Sequence, residues 1–440
     1  MGQINVICAT STRPNPGMAS VDLAFHALAK RHRIGARVVF WQLGTSEELH
    51  AGRSRREREE IASREGLPFP YRNAMGHLDE ICAGDALLYW GDFMHMAHYQ
   101  EDVGRRLAAL GLAPSIEEGV KTSCRLFLLA EAPDDALARS ISYGGNLLFN
   151  GAADYHHPVY AGLLRRFVRG IDSIWMRDVF SAMTVSRLRQ SSGDGHLGFD
   201  CSLFLQPEDL LPLPRRWTLD PALGRGKVGL YFGRRSSIGW SALCRFAEDL
   251  SRRMNAEPQW FPWRMARGLP GRRIGWWRFR GIQRIASEGP PRLGDLFELV
   301  RRYRLIITDT YHVCVNAWRM GTPAICIGEA DPKSDWDSSA GPAFGWRDKR
   351  QIFHAMNDAQ EFFVHASEIA DSAWRRKRAE HLTWLLRQPE ILAGVHRRVQ
   401  EQRGAIEQQL VARIKRLTGP ALVRRDHSDL QAGAVRLGGL

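Results

Sequence analysis

The 440-residue sequence has no CxxC pair, no internal repeat and no apolar run near the length of a membrane span. A bilayer-crossing helix needs roughly 20 such residues, so none is expected. The opening MGQINVICAT reads as a strand rather than a charged-then-apolar leader, so no signal peptide is expected either. Seven cysteines, Cys8, Cys82, Cys124, Cys201, Cys244, Cys314 and Cys326, are scattered and odd in number. That argues against a disulfide framework or a zinc site and for reduced, buried thiols in a cytoplasmic protein. No RNP, KH or helix-turn-helix pattern accompanies the basic residues, so nucleic acid is not the expected partner.

Basic charge is abundant. Lys and Arg number 61 against 48 Asp and Glu, a net charge of +13 that favours anionic company. Hydrophobic residues make up 44% of the chain, enough for two or three packed domains. Short apolar runs alternate with helical spacing. Strands are expected at 4–9, 37–43, 86–90, 125–130 and 173–176, with helices at 18–31, 47–64 and 101–110 between them. Residues 208–226 carry three Pro and two Gly and read as a linker. The alternation then restarts, with strands at 228–232, 259–263, 305–308 and 324–327 and helices at 241–254, 293–302 and 310–320. This order implies two doubly wound Rossmann-like α/β domains facing a cleft. The expected division is 1–210, a linker 211–226, a second domain 227–372, a long helical segment 373–418 and a tail 419–440.

The stretch TDTYHVCVNAWRMGTPAICIG carries the main candidate. A strand leads into a helix there, and ligands of open α/β sheets bind at that edge. The first amides of the helix, at Thr310 and Tyr311, attract a phosphate or carboxylate. His312, in the first turn, suits acid–base work; a surface or capping histidine is the plainer reading. In GLYFGRRSSIGW the forks of Arg234 and Arg235, with Ser236, can bind the same anion. In SIWMRDVFSAMTVSRL, Asp178 reads as an N-cap, and Arg177 faces either the cleft or a nearby carboxylate. Gly17, Asp92 and Trp263 are further cleft candidates. The turn 10–20 is neither GxGxxG nor a P-loop. His95 and His98 are one turn apart, but no carboxylate or Cys cluster supports a metal there, so none is expected. Residues 258–284 interleave four Trp with seven Arg and no acid. The open readings are a substrate lid, a contact with the inner face of a membrane, or packed structure.

Three of these stretches, in order, resemble the polysaccharide pyruvyl transferase family. They are SIWMRDVFSAMTVSRL with the acidic turn in GFDCSLFL, then VGLYFGRR, then TDTYHVCVNAWRMGTPAICIG. The resemblance implies a glycosyltransferase-B-like fold and transfer of a pyruvyl group from phosphoenolpyruvate to a sugar hydroxyl. It places the catalytic His on His312 and a donor-binding Arg on Arg234 or Arg235. It also implies a glycan or lipid-linked acceptor in polysaccharide biosynthesis, without a metal or a resident cofactor. The chain departs from the pattern at Thr310, where the family has Arg, and at Tyr311, where it has Leu. Two alternatives stand beside this reading. One is a nucleotide-sugar-dependent glycosyltransferase on the same architecture, and the other a non-catalytic module that binds an anionic ligand.

Overall fold

The computed structural model describes residues 2–9, 16–44, 67–191, 196–210, 212–215, 223–233, 240–261, 263, 283–284, 292–328 and 348–419. Two six-stranded sheets organise them, and every strand pair is parallel. The first contains β1 (Gln3–Cys8), β2 (Arg37–Gln42), β3 (Tyr71–Asn73), β4 (Ala86–Asp92), β5 (Ser140–Gly145) and β6 (Ser173–Met176) in the order β3-β2-β1-β4-β5-β6. The second contains β7 (Val228–Tyr231), β8 (Pro258–Trp260), β9 (Gln283–Arg284), β10 (Leu305–Thr308), β11 (Ala324–Gly328) and β12 (Phe363–His365). Its order is β12-β11-β10-β7-β8-β9, the same winding viewed from the other edge. Central strands such as β5, β7, β10 and β11 are buried throughout, as parallel strands covered on both faces must be. The winding reverses between β1 and β4 and again between β7 and β10. These are the two switch points at which such sheets open a crevice at the carboxyl ends of their strands.

The helices that matter for the site are α1 (Pro16–Arg31), α2 (Ala97–Ala109), α3 (Ile116–Phe127), α4 (Pro158–Gly170), α5 (Val179–Arg189), α6 (Trp240–Arg253), α7 (Leu293–Arg302), α8 (Tyr311–Arg319), α9 (Lys349–Met356), α10 (Ser372–Leu385) and α11 (Pro389–Thr418). The apolar run 125–130, expected as a strand, instead closes α3 at Phe127 and leaves it as a turn. Ser115 caps that helix by accepting from the Glu118 amide, and Glu117 and Glu118 sit in its first turn. A short buried run cannot be told from a helix end by periodicity alone. The strand in its place is β5, from a stretch of two Ser, Ile, Tyr and two Gly that carries little apolar signal. The run GFDCSLFL forms a 3-10 turn at Cys201–Phe204 rather than a strand. The expected helix at 47–64 and nearly all of the tail lie outside the described residues.

The C-terminal segment is two helices rather than one. Pro389 cannot continue α10 and instead opens α11 at its first position. Helix α11 then spans both halves of the molecule. His396 packs its ring on Trp318 of α8, while Glu407 takes Arg31 at 2.6 Å and His32 at 2.7 Å at the end of α1. Further on, Arg416 pairs with Asp172, and the Thr418 carbonyl lies against Gly2. Two Rossmann-like domains tied by a returning C-terminal helix make the glycosyltransferase-B-like arrangement. All seven cysteines are free and buried. No helix among the described residues is long and apolar enough to cross a membrane.

Burial pushes the Glu407 carboxyl up, but hydrogen bonds from His32 and Arg31 and the charges of Arg31 and Arg403 outweigh it and hold the group below its ordinary range. Its stabilising share is therefore complete above the unfolded-state pKa of a glutamate and is lost as pH falls through the lower folded value. Glu407→Gln is expected to cost about 2–3 kcal/mol at neutral pH and little in acid. Denaturant titrations at the two pH values check this; an equal cost at both would remove the ion pairs from the account.

Candidate active site between the domains

The site is built from the carboxyl ends of both sheets. On the first, β6 ends at Met176 and the chain turns through Arg177 and Asp178 into α5. Asp178 is the N-cap, accepting from the Ser181 amide at 2.8 Å and the Ser181 hydroxyl at 2.7 Å. With Asp178 so occupied, Arg177 turns to Asp200, at 3.4 Å, and both side chains are almost wholly buried. With the Asn146 amide oriented to suit its neighbours, its oxygen accepts from Arg177 Nε at 2.9 Å. Asp200 caps the 3-10 turn, accepting from the Ser202 amide at 3.0 Å and its hydroxyl at 2.6 Å.

On the second sheet, β10 ends at Thr308 and Thr310 is the N-cap of α8. Its hydroxyl does not cap the helix; it donates to Asp309 Oδ1 at 2.9 Å, and the same oxygen accepts from the Gly233 amide at 2.7 Å. Arg350 fixes the turn from behind, donating to the carbonyl of Asp309 at 2.8 Å while its own charge is met by Asp348. The turn presents Tyr311 and His312 to the first domain. The Tyr311 hydroxyl faces Asp200, and burial together with that charge keeps it protonated far above the ordinary tyrosine range. His312 is 8% exposed, with its ring edge-on to Tyr311 at 5.1 Å. Gly17, which opens α1 just past the carboxyl end of β1, lies against it. A Cβ built on Gly17 would stand 2.5 Å from both Cβ and Cγ of His312. The two switch points therefore meet at this pair of residues. One turn along α8, Asn316 donates to the His312 carbonyl at 2.7 Å and to Ser20 of α1 at 3.1 Å.

Two cations share an aromatic frame made by both domains. The Arg177 guanidinium lies 4.9 Å from the Phe93 ring centroid and 5.2 Å from that of Tyr311, and Lys349 Nζ lies at 4.4 and 5.0 Å from the same rings. Burial pushes the Asp200 carboxyl up, but His312, Arg177 and the Ser202 hydrogen bonds hold it below its ordinary range, so it is an anion at neutral pH. The cluster thus combines one fixed carboxylate, an imidazole beside it, two cations and the N-terminal amides of α8. A neutral imidazole next to a carboxylate can take a proton, and the cations and amides can receive negative charge.

Of the residues singled out in the sequence, Gly17, Arg177, Tyr311 and His312 come together here, with Thr310 as the cap behind them. Arg234, Arg235 and Ser236 lie outside the described residues; the last described position before them, Gly233, is held against Asp309. Asp92 ends β4 in register with Gly145. Trp263 is 2% exposed and packs edge-on to Phe261 and Phe297 in the core of the second domain, not at the cleft. His95 is a core residue, bonded to the Phe127 carbonyl at 2.8 Å and to Ser142 at 2.9 Å; burial lowers its pKa to about 4. His98 faces Asp102 on the exposed side of α2. Apart from 283–284, the Trp- and Arg-rich stretch beyond Trp263 is outside the described residues. Sequence reasoning gave no role to Phe93, Asn146 or Lys349. It met Asp200 only as an acidic turn, although an Asp two residues before a Ser is a cap signal.

A family model described as polysaccharide pyruvyl transferase matches residues 119–331, less than half of the chain. No curated protein matches the chain by sequence. Among solved structures, one provisionally described as a UDP-N-acetylglucosamine 2-epimerase from Listeria monocytogenes is 12% identical, with a TM-score of 0.51 over 94% of this chain and 95% of its own. S. aureus MnaA in complex with UDP is 10% identical, with a TM-score of 0.48 over 94% and 96%. UDP-GlcNAc 2-epimerase from Neisseria meningitidis bound to UDP-GlcNAc is 10% identical, with a TM-score of 0.49 over 94% and 99%. At these identities the likeness is one of fold.

These findings correct the expectation of a pyruvyl transferase that draws on phosphoenolpyruvate. The family match omits β1 to β4, Gly17, Phe93 and Lys349, and so half of the cleft. The near-full-length likeness is instead one of two-domain fold, to a structure provisionally described as a UDP-N-acetylglucosamine 2-epimerase. Thr310, where the family has Arg, is an uncharged cap turned toward Asp309.

Two substitutions test the packing of the site. Gly17→Ala places a methyl group where His312 already stands and is expected to cost about 1–3 kcal/mol. Asp200→Asn leaves the Arg177 charge buried without its counter-ion and is expected to cost about 3–5 kcal/mol. Denaturant unfolding of the two variants measures both. A neutral result for Gly17→Ala would mean that the domains do not meet at this pair.

Proposed function

We propose that the chain is a nucleotide-sugar-dependent transferase of the glycosyltransferase-B type, acting on a glycan or lipid-linked sugar acceptor. The observation that carries this reading is the meeting of His312, Asp200 and Arg177 at the switch points of two identically wound sheets. That is where a donor held by one domain would face an acceptor held by the other. The donor's diphosphate sits at the N-terminal turn of α8, where the positive end of the helix dipole and Lys349 meet its charge. The acceptor hydroxyl attacks the anomeric carbon while the bond from that carbon to the diphosphate oxygen breaks. His312 takes the hydroxyl proton, and the Asp200 carboxylate stabilises the resulting imidazolium. The leaving nucleoside diphosphate carries away the electron pair of the broken bond. The full-length fold likeness and the basic balance of the chain support this reading.

Isothermal titration with uridine, guanosine and thymidine diphosphates is expected to show binding of one of them. With the matching sugar donor, His312→Asn is expected to leave donor binding close to native while slowing nucleoside diphosphate release by about 10²–10⁴-fold. Thermal stabilisation by phosphoenolpyruvate with none by any nucleotide would sink the proposal.

A further inference from the structure

Helix α10 presents a face that none of the foregoing uses. It buries Ala379, Leu382, Thr383 and Leu385 and leaves Trp374 and Trp384 at 59% and 55% exposure. Tryptophan is usually largely buried, so two indoles more than half exposed on one short helix call for an occupant. They are ten residues apart, about 15 Å along the helix, and both lie off its buried stripe. Lys377 stands between them, its ammonium 5.4 Å from the Trp374 ring. His381 stacks on Trp384, held from behind by Glu361. Arg376 and, two residues beyond the helix, Arg387 are exposed on the flank of this face. Among the described residues, neither these two nor Lys377 has a carboxylate within ion-pair distance, and Glu380 is the one acid on the exposed side of α10.

We infer that α10 docks the protein on an anionic membrane surface, lying along the plane of the headgroups. Indole rings settle at the boundary between headgroups and acyl chains, and each basic residue near an anionic leaflet adds attraction. The pattern on α10 is that combination: two indoles about 15 Å apart with three cations, none met by a carboxylate among the described residues, between and beside them. The charge argues against a second copy of the chain as occupant, because the same face would meet its own positive charge. The helix is anchored to α6, where Arg387 donates to the Arg253 carbonyl at 3.0 Å, so it would bind as a rigid ridge rather than as a peeled-off segment. This inference does not depend on which donor the cleft takes.

Co-sedimentation with vesicles tests it. The full chain is expected to sediment with phosphatidylcholine vesicles containing phosphatidylglycerol, to remain in solution with pure phosphatidylcholine, and to be released by salt. Arg376→Gln and Lys377→Gln are each expected to weaken binding about fivefold. The double variant Trp374→Ser, Trp384→Ser should lose at least about tenfold. Because these side chains are exposed, the thermal midpoint should stay at its native value. Equal binding to neutral vesicles would overturn the proposal. So would variants that bind as the native chain does. So would a concentration-dependent dimer, or binding to double-stranded DNA, that the same substitutions abolish while vesicle binding persists.

Discussion

The arrangement of the cleft rests on a buried ion pair that one domain supplies and the other closes. Arg177 and Asp200 come from the carboxyl edge of the first sheet, and each would be costly to bury alone. Asn146, Phe93 and Ser202 share the load from the same domain, whereas Tyr311, His312 and Lys349 reach it only when the second domain is in place. The relative position of the two domains is thus coupled to the electrostatics of the site. Were the domains to part, Tyr311 would leave Asp200 and the guanidinium would lose half of its aromatic frame.

Two identical windings explain why the right residues face one another. Each sheet reverses its order once, and at each reversal the loops splay apart and expose a helix start. In the first sheet that helix start is Gly17, where the lack of a side chain lets the His312 side chain come close. In the second it is Tyr311 and His312, on a turn braced by Arg350. A small residue opposite a functional one is a packing solution, because any Cβ at position 17 would occupy the space of the imidazole. The interdomain bond from Asn316 to Ser20 repeats the contact one turn deeper.

Much of the fold could be read from apolar alternation. The strands at 4–9, 37–43, 228–232 and 305–308 and the helix at 293–302 reappear within a residue or so. The misreadings have physical causes. Leu126 to Leu129 are as apolar as a strand but form the end of a capped helix and the turn that leaves it, while β5 is built from small and polar residues that its neighbours bury. His312 was legible as a candidate because strand, cap and helix adjoin in sequence. Lys349 and Phe93 were not, since each has only chain-distant partners and no local pattern distinguishes it. Asp200 lay in between, visible as a cap and invisible as the counter-ion of a residue 23 positions away. The family suggested by three ordered stretches drew on turns of both domains, and its match leaves out β1 to β4 and Lys349.

Helix α11 sets an order of events during synthesis. The first domain can pair its strands soon after β6 leaves the ribosome, yet His32 and Asp172 wait for Glu407 and Arg416, made more than two hundred residues later. Until then the nascent first domain carries an uncovered flank and the second domain has no strap. Completion of the molecule is therefore a late docking step, and a chain truncated before α11 would keep the contacts across the cleft but lack the strap over its flank.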